Sequence, residues 1–156
     1  MTERMIIIRR PVTVLLLILV TAGIIAVTLS VSGKSYAKVD PIPFEGVRHL
    51  WARMQHRSTS TWLIAMIVMP IVGNIMLFVP FGFLLFLSLY SAERSTIQTY
   101  VLTILIGFSF SCAVEAYQYF LPTRVADIND IIWNTAGTLI GTVLGHLRSR
   151  VRFEFV

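Results

Sequence analysis

Apolar runs long enough to cross a lipid bilayer constrain this chain more than any other feature. Residues 11 to 31 and 62 to 90 contain no charged side chain. Two further runs, from about 99 to 120 and from about 127 to 147, are interrupted by only a few ionisable groups. Because about 20 apolar residues span a bilayer as a helix, the sequence predicts an all-α integral membrane protein. We expect one domain, a bundle of four transmembrane helices.

The overall composition excludes a soluble domain. Hydrophobic residues make up 56% of the chain, charged residues 13%, and the mean hydropathy is +0.77. This leaves too little polar surface to cover a soluble globule. The net charge of +5 comes from basic residues that flank the predicted spans, so we expect membrane lipids with anionic headgroups, and not nucleic acid, as partners. The single Cys112 can form no disulfide within the chain, and we expect it to be a packing residue.

Basic clusters adjoin the first and last spans. An even number of spans puts both termini on one side, and the positive-inside rule favours the cytoplasm for that side. The apolar core of the first span is longer than that of a secretory signal cleaved near residues 35 to 37, so we favour an uncleaved anchor. The basic residues predicted to lie inside are Arg4, Arg9, Arg10, Arg94, Arg148, Arg150 and Arg152, and those outside are Lys34, Lys38, Arg48, Arg53, Arg57 and Arg124.

The segment from 32 to 61 is polar and is predicted to form an outer loop. Four apolar residues in it recur at i, i+3, i+4 and i+7: Val47, Leu50, Trp51 and Met54. This spacing predicts an amphipathic helix in the headgroup plane, between the first and second spans; a short cap packed on the bundle fits equally well. His49 and His56 lie two helical turns apart without a third ligand, so we expect no metal site there.

Small residues and proline mark the predicted packing faces. The second apolar run, of 29 residues, contains Pro80 and Gly82. We expect it to be kinked, tilted or begun by an interfacial turn, and its small residues to let a neighbouring helix approach closely. Gly137, Gly141 and Gly145 are spaced by four in the fourth span and form one smooth ridge. We expect this ridge to pack closely against another helix, and it is also a candidate contact between copies of the chain.

Polar side chains gather where the third span ends and the fourth begins. Glu115 and Gln118 are i, i+3 neighbours and share one helix face. A second stripe, at i, i+3 and i+7, consists of Asp127, Asp130 and Asn134. Because Pro122 favours an extended residue before it, the link between the spans should be tight and bring the two stripes together. Asn74 of the second span completes the candidate ligand-binding cluster.

The charges of this cluster do not balance. Arg124 lies in the link and can pair with one carboxylate through two hydrogen bonds. Three ionised carboxylates exceed one arginine, so either Glu115 is protonated or a cationic or hydrogen-bonding ligand group supplies the balance. The alternative is structural: Asp127 caps a helix, and the amides hold helices together as polar contacts within the membrane.

These residues resemble the signature of the VanZ-like family of bacterial membrane proteins. The first motif is Asn74-Ile-Met-Leu-Phe-Val-Pro-Phe-Gly82. The second is Glu115-x-x-Gln118-x-Phe120-x-Pro122-x-Arg124-x-x-Asp127-x-x-Asp130-x-x-x-Asn134-x-x-Gly137. The resemblance covers about residues 62 to 145. It implies a small multi-span protein of the bacterial cytoplasmic membrane, in a family whose founding member is associated with resistance to the glycopeptide teicoplanin.

Three functions fit these observations. The first, which we favour, is an outer-leaflet pocket that binds a lipid-linked envelope precursor or an amphiphilic glycopeptide, with Arg124 contacting an anionic group. The second is a metal-assisted enzyme acting on a lipid, although no Ser–His or Cys–His pair lies near the acids. The third is a transporter of protons or a small solute that uses Glu115 as a relay and assembles as a homo-oligomer. We expect no cofactor and no resident metal, and we assign no catalytic residue.

Overall fold

The computed structural model describes residues 10–30, 39–55, 60–91, 93–122 and 124–150 of the 156-residue chain. Within these residues the chain forms five α-helices and one short parallel sheet. The elements, in order, are α1 (Arg10–Ser30), β1 (Val39–Asp40), α2 (Glu45–Gln55), α3 (Thr61–Leu89), α4 (Thr96–Phe120), β2 (Ala126–Asp127) and α5 (Ile128–Arg150). Several residues used in the sequence predictions lie outside the described ranges: Arg4, Arg9, Lys34 to Lys38, His56, Arg57 and Arg152.

Three of these helices can cross a membrane by length and composition. They are α1, α3 and α4, and the all-helical prediction is confirmed for the described part of the chain. The predicted fourth span corresponds to α5, which has 23 residues but a lower mean hydropathy, because polar residues recur along it. The count of four spans therefore stays a prediction.

The third predicted span begins three residues earlier than expected, at Thr96 instead of residue 99. The physical reason is a capping box. The Ser95 hydroxyl accepts a hydrogen bond from Gln98 N at 3.2 Å, and Gln98 Oε1 accepts one from Ser95 N at 3.1 Å. These polar residues satisfy the first amide groups of the helix, so the helix starts ahead of the apolar run. The other long helix, α3, continues through both Pro70 and Pro80.

Helices α3 and α5 run side by side in the same direction. Glycines of α5 contact successive turns of α3: Gly137 lies against Ile75 and Phe78, Gly141 against Val79 and Phe83, and Gly145 against Phe83 and Phe86. A Cβ atom at Gly141 would overlap the Val79 carbonyl oxygen, so only glycine permits this approach. Gly82 is crowded in the same way by the Thr138 backbone. The glycine ridge is thus buried inside the chain, and the idea that it contacts a second copy is wrong.

Helix α4 runs antiparallel to α5. Contacts between the two helices follow this direction, from Tyr100 beside His146, through Gly107 beside Thr138, to Ser111 beside Asn134. Helix α1 packs on α3, where Ile24, Phe78, Phe81 and Leu85 form the buried apolar core. As a result α1 and α4 end, and α3 and α5 begin, at the same end of the bundle, which we call the polar end.

The outer segment folds back onto the polar end. Val39 and Asp40 of β1 pair in parallel with Ala126 and Asp127 of β2, a sheet that the sequence did not predict. The predicted helix of this segment is present as α2, and it lies against the first turns of α3. It has no buried residue, and Trp51 is 66% exposed. Its placement in the headgroup plane stays a prediction.

Candidate functional site

Glu115 joins the two polar stripes at the polar end. Glu115 is buried on α4, with only 5% of the residue exposed. Oε2 accepts a hydrogen bond from the backbone N of Asp127 at 2.9 Å. The tight link after Pro122 thus brings the end of α4 against the start of α5, which is the arrangement that the link was expected to produce.

Gln118 and Arg124 hold the end of α1. Gln118 Nε2 donates to the carbonyl oxygen of Thr28 at 3.0 Å, and Arg124 Nη2 donates to the same oxygen. The carbonyls in the last turn of a helix have no partner within the helix and carry a partial negative charge, which an arginine complements. Sequence analysis missed Thr28, because a backbone acceptor has no signature in the side chains.

The expected ion pair of Arg124 is wrong. Arg124 lies within 4.0 Å of no carboxylate oxygen of Glu115, Asp127 or Asp130, all of which belong to the described residues. The reason is that its guanidinium reaches back to α1 instead. Its Nε is buried without a hydrogen-bond partner. The arginine therefore contributes to anchoring α1, and it forms no direct ion pair with these acids.

Two side-chain amides, those of Asn74 and Asn134, connect helices within the bundle. Asn74 Nδ2 of α3 donates to Asp130 Oδ1 of α5. Asn134 is 2% exposed and donates from Nδ2 to the hydroxyl of Ser111 on α4 at 3.0 Å, while its Oδ1 has no partner. Of the predicted site residues, Glu115, Gln118, Arg124, Asn134 and Asn74 thus lie in the helix contacts. Asp127 and Asp130 have internal partners and also border open space.

That open space is a cleft of about 180 Å³ between α2, α3 and the start of α5. Its lining includes three acids, Asp40, Asp127 and Asp130. It also includes an apolar face of α3, formed by Met66, Ile67, Pro70 and Ile71. No lysine or arginine of the described residues lines the cleft. Such a pocket suits a molecule with a cationic or hydrogen-bond-donating head and an apolar body.

Asp127 has a further role, which is to organise the chain around the cleft. Its Oδ1 accepts hydrogen bonds from the backbone N of Asn129 at 2.7 Å and from Asn129 Nδ2 at 2.8 Å. This is an Asx-type turn that starts α5, and it confirms the geometry of a capping aspartate. The Asp127 carboxylate therefore caps the helix and borders the cleft at the same time.

The residues of the cleft lining that the sequence analysis missed include Asp40, Phe44, Asn129 and Trp133. Asp40 lies in a proline-containing stretch that indicates only a loop, and its pairing with Asp127 is long-range. Asn129 lies between Asp127 and Asp130 in the sequence, but helical spacing put it on a different face from the predicted stripe. Its position next to two acids was the one sequence signal for including it in the site.

The described part of the chain contains no group of three or more His, Cys, Asp or Glu side chains arranged to hold a metal ion. His49 lies 3.5 Å from Glu45, one turn away on α2, and both are exposed. A ligand of the cleft carboxylates would itself have to supply hydrogen-bond donors or positive charge.

Comparison with known proteins gives one match. The family model described as VanZ/LLP1 matches residues 12–149, nearly the whole chain. No curated protein and no solved structure matches the chain.

Proposed function

Because the chain belongs to the VanZ/LLP1 family, we propose that it binds an amphiphilic molecule of the bacterial envelope at the outer leaflet of the cytoplasmic membrane. The ligand is a lipid-linked cell-wall precursor or a lipid-tailed glycopeptide of the teicoplanin type. Binding contributes to glycopeptide resistance by changing how the drug reaches its target. The observation that carries this proposal is a cleft lined both by acids and by an apolar face of α3.

The chemistry of the cleft favours particular groups of such a ligand. Asp127 and Asp130 offer carboxylate oxygens, which accept hydrogen bonds from ammonium, hydroxyl and amide groups. A phosphate placed beside them would be repelled by the carboxylates, and Arg124 does not line the cleft. We therefore propose that the amine or sugar and peptide donors of the ligand face the acids, while its acyl chain follows α3.

The position of the cleft supports binding from the membrane. The apolar wall belongs to the first three turns of α3, a helix apolar enough to cross a bilayer. Beside it, α2 carries exposed Arg48 and Arg53 on either side of exposed Trp51. We propose that α2 contacts anionic headgroups while the cleft opens toward the acyl chains.

Expression in a glycopeptide-susceptible bacterium tests the proposal. The measurements are drug susceptibility, the drug bound per cell and the amount of folded protein. Asp130→Asn keeps an oxygen for the bond from Asn74 but removes one charge from the cleft, so we expect normal abundance with the phenotype reduced to that of the empty vector. Glu93→Gln, which removes an exposed acid before α4, is the matched control and should behave as wild type.

The decisive contrary result is simple. If wild-type protein reaches the membrane in quantity and changes neither susceptibility nor drug binding, the resistance function is wrong. If Asp130→Asn loses abundance and phenotype together, the acid is a structural contact between α3 and α5.

A further inference from the structure

We propose that α2 and the strap before it, residues 40–44, form a lid over the cleft, hinged at Phe44 and held shut by Asn129. The strap and α2 supply one complete side of the cleft, through Asp40, Phe44, Gly46 and Val47. If this segment moved away, the apolar face of α3 and the acids Asp127 and Asp130 would be open to a ligand.

The lid is lightly attached to the rest of the molecule. None of the residues of α2 is buried, and Trp51 and Met54 are 66% and 54% exposed. Its close approach to α3 is at Gly46, where a Cβ would lie 3.8 Å from Ile67 Cγ2, an ordinary van der Waals contact. A helix that buries so little can separate from its support at small cost.

Beyond the pairing of Asp40 with Asp127 in the β1–β2 sheet, Asn129 provides the polar attachment of the strap. Its Oδ1 accepts a hydrogen bond from the backbone N of Phe44 at 2.6 Å, and its Nδ2 donates to the Ile42 carbonyl at 3.5 Å. The same Nδ2 donates to Asp127 Oδ1 at 2.8 Å. One side chain at the first turn of α5 thus links the strap to a carboxylate of the cleft. We call Asn129 the latch.

Phe44, at the junction of the strap and α2, has a strained backbone conformation. Its φ is +60°, a left-handed value that no other non-glycine residue of the described chain adopts and that is costly for a bulky side chain. The conformation persists because the latch holds its N–H and because its ring meets that of Trp133 edge-to-face, with centroids 5.7 Å apart. Loss of either contact leaves strain that favours opening.

The latch also connects the lid to occupancy of the cleft, a step that rests on the proposed function. A ligand ammonium group bound to Asp127 competes for the oxygen that Asn129 now occupies. Asn129 would then hold Phe44 less firmly, and binding and lid position would bias each other.

Hydrogen–deuterium exchange of the full chain in lipid nanodiscs, without ligand, tests the lid. Asn129→Ala removes both bonds to the strap. Since each such bond contributes on the order of 1 kcal/mol, we expect exchange in residues 39–55 to accelerate about fivefold or more. Exchange in the middle of α3 and α5 should not change. The matched control is Ile128→Ala, the exposed neighbour of the latch, which should leave the strap as in wild type.

A reversible lock supplies a second arm. Gly46→Cys with Ile67→Cys, in a Cys112→Ser chain, should form a disulfide across the contact between α2 and α3, and oxidation should slow exchange in residues 39–55 until the bond is reduced. Equal strap exchange in wild type and Asn129→Ala, or in the oxidised and reduced double-cysteine protein, would overturn the lid. Neither arm contains a ligand. If both arms show a lid but ligand binding fails, only the proposed function is overturned.

Discussion

At the residue scale, the polar motif divides into residues that hold the helices and residues that face the cleft. Glu115, Gln118 and Arg124 form hydrogen bonds with backbone groups of other segments. Asp127 and Asp130 also have internal partners, but they border open space. The sequence predicted that these residues meet. It could not predict which of them face a ligand, because that depends on how α1 and the strap pack around them.

The closeness of α3 and α5 gives the first prediction. Gly141→Ala places a methyl group against the backbone of Val79 and Phe83, so the two helices must separate. We expect the free energy of unfolding to fall by about 1–3 kcal/mol, the usual cost of overpacking. Unfolding in mild detergent, followed by tryptophan fluorescence, measures the change. The control is Gly73→Ala, where nothing lies within 4 Å and stability should be equal or slightly higher. Equal losses in both variants would contradict the tight contact.

Arg124 gives the second prediction. Arg124→Met keeps much of the side-chain length but removes the donor to the Thr28 carbonyl. Hydrogen bonds from charged groups contribute about 1.5–3 kcal/mol, and we expect a loss of that order in unfolding stability. Ligand binding per folded molecule should be retained. Arg53→Met, on exposed α2, should change stability by less than about 0.5 kcal/mol. If Arg124→Met is as stable as wild type but cannot bind an amphiphile, the arginine belongs to the site.

At the scale of elements, the helices were predictable and the two short strands were not. Charge-free runs define α1 and α3, because the cost of burying polar groups in lipid leaves few alternatives. The start of α4 was missed because a capping box extends a helix into polar sequence. The two-residue strands of β1 and β2 have no periodicity to detect, and their pairing joins segments about 87 residues apart in sequence.

The junction between α4 and β2 gives the third prediction. Glu115→Gln retains an oxygen that accepts from Asp127 N, so we expect a folded protein with the junction intact. Glu115→Leu leaves that N–H without its partner and should cost about 1–3 kcal/mol of unfolding stability. Denaturation of the two variants side by side measures the difference. A Gln variant as unstable as the Leu variant would mean that the negative charge of Glu115, and not the hydrogen bond, holds the junction.

At the scale of the whole molecule, the helix directions alternate in a way that suits a membrane. Helices α1 and α4 end at the polar end, and α3 and α5 begin there. The direction of α5 therefore agrees with a fourth crossing, although its composition alone does not identify one. The number of apolar runs predicted this alternation. It did not predict that α3 packs in parallel with α5, because that pairing depends on where the glycines of α5 contact α3.

Orientation in the membrane is the fourth prediction. In a Cys112→Ser chain, a cysteine in place of exposed Trp51 on α2 should react in intact cells with a maleimide that cannot cross the membrane. A cysteine in place of Ile97, which is 76% exposed at the opposite end, should react only after the cells are opened. The reverse pattern would put the cleft in the cytoplasm and contradict binding at the outer leaflet.

The central claim is that the acid-lined cleft receives an amphiphile, and photolabelling tests it most directly. The probe is a long-chain alkylamine with a diazirine in its chain, added to the purified protein in nanodiscs. We predict labelled peptides from the first turns of α3 and around Trp133, with most of this labelling lost in Asp130→Asn and retained in Glu93→Gln. Labelling spread over the lipid-facing surfaces of α1 and α4, with the same yield in all three proteins, would contradict the account.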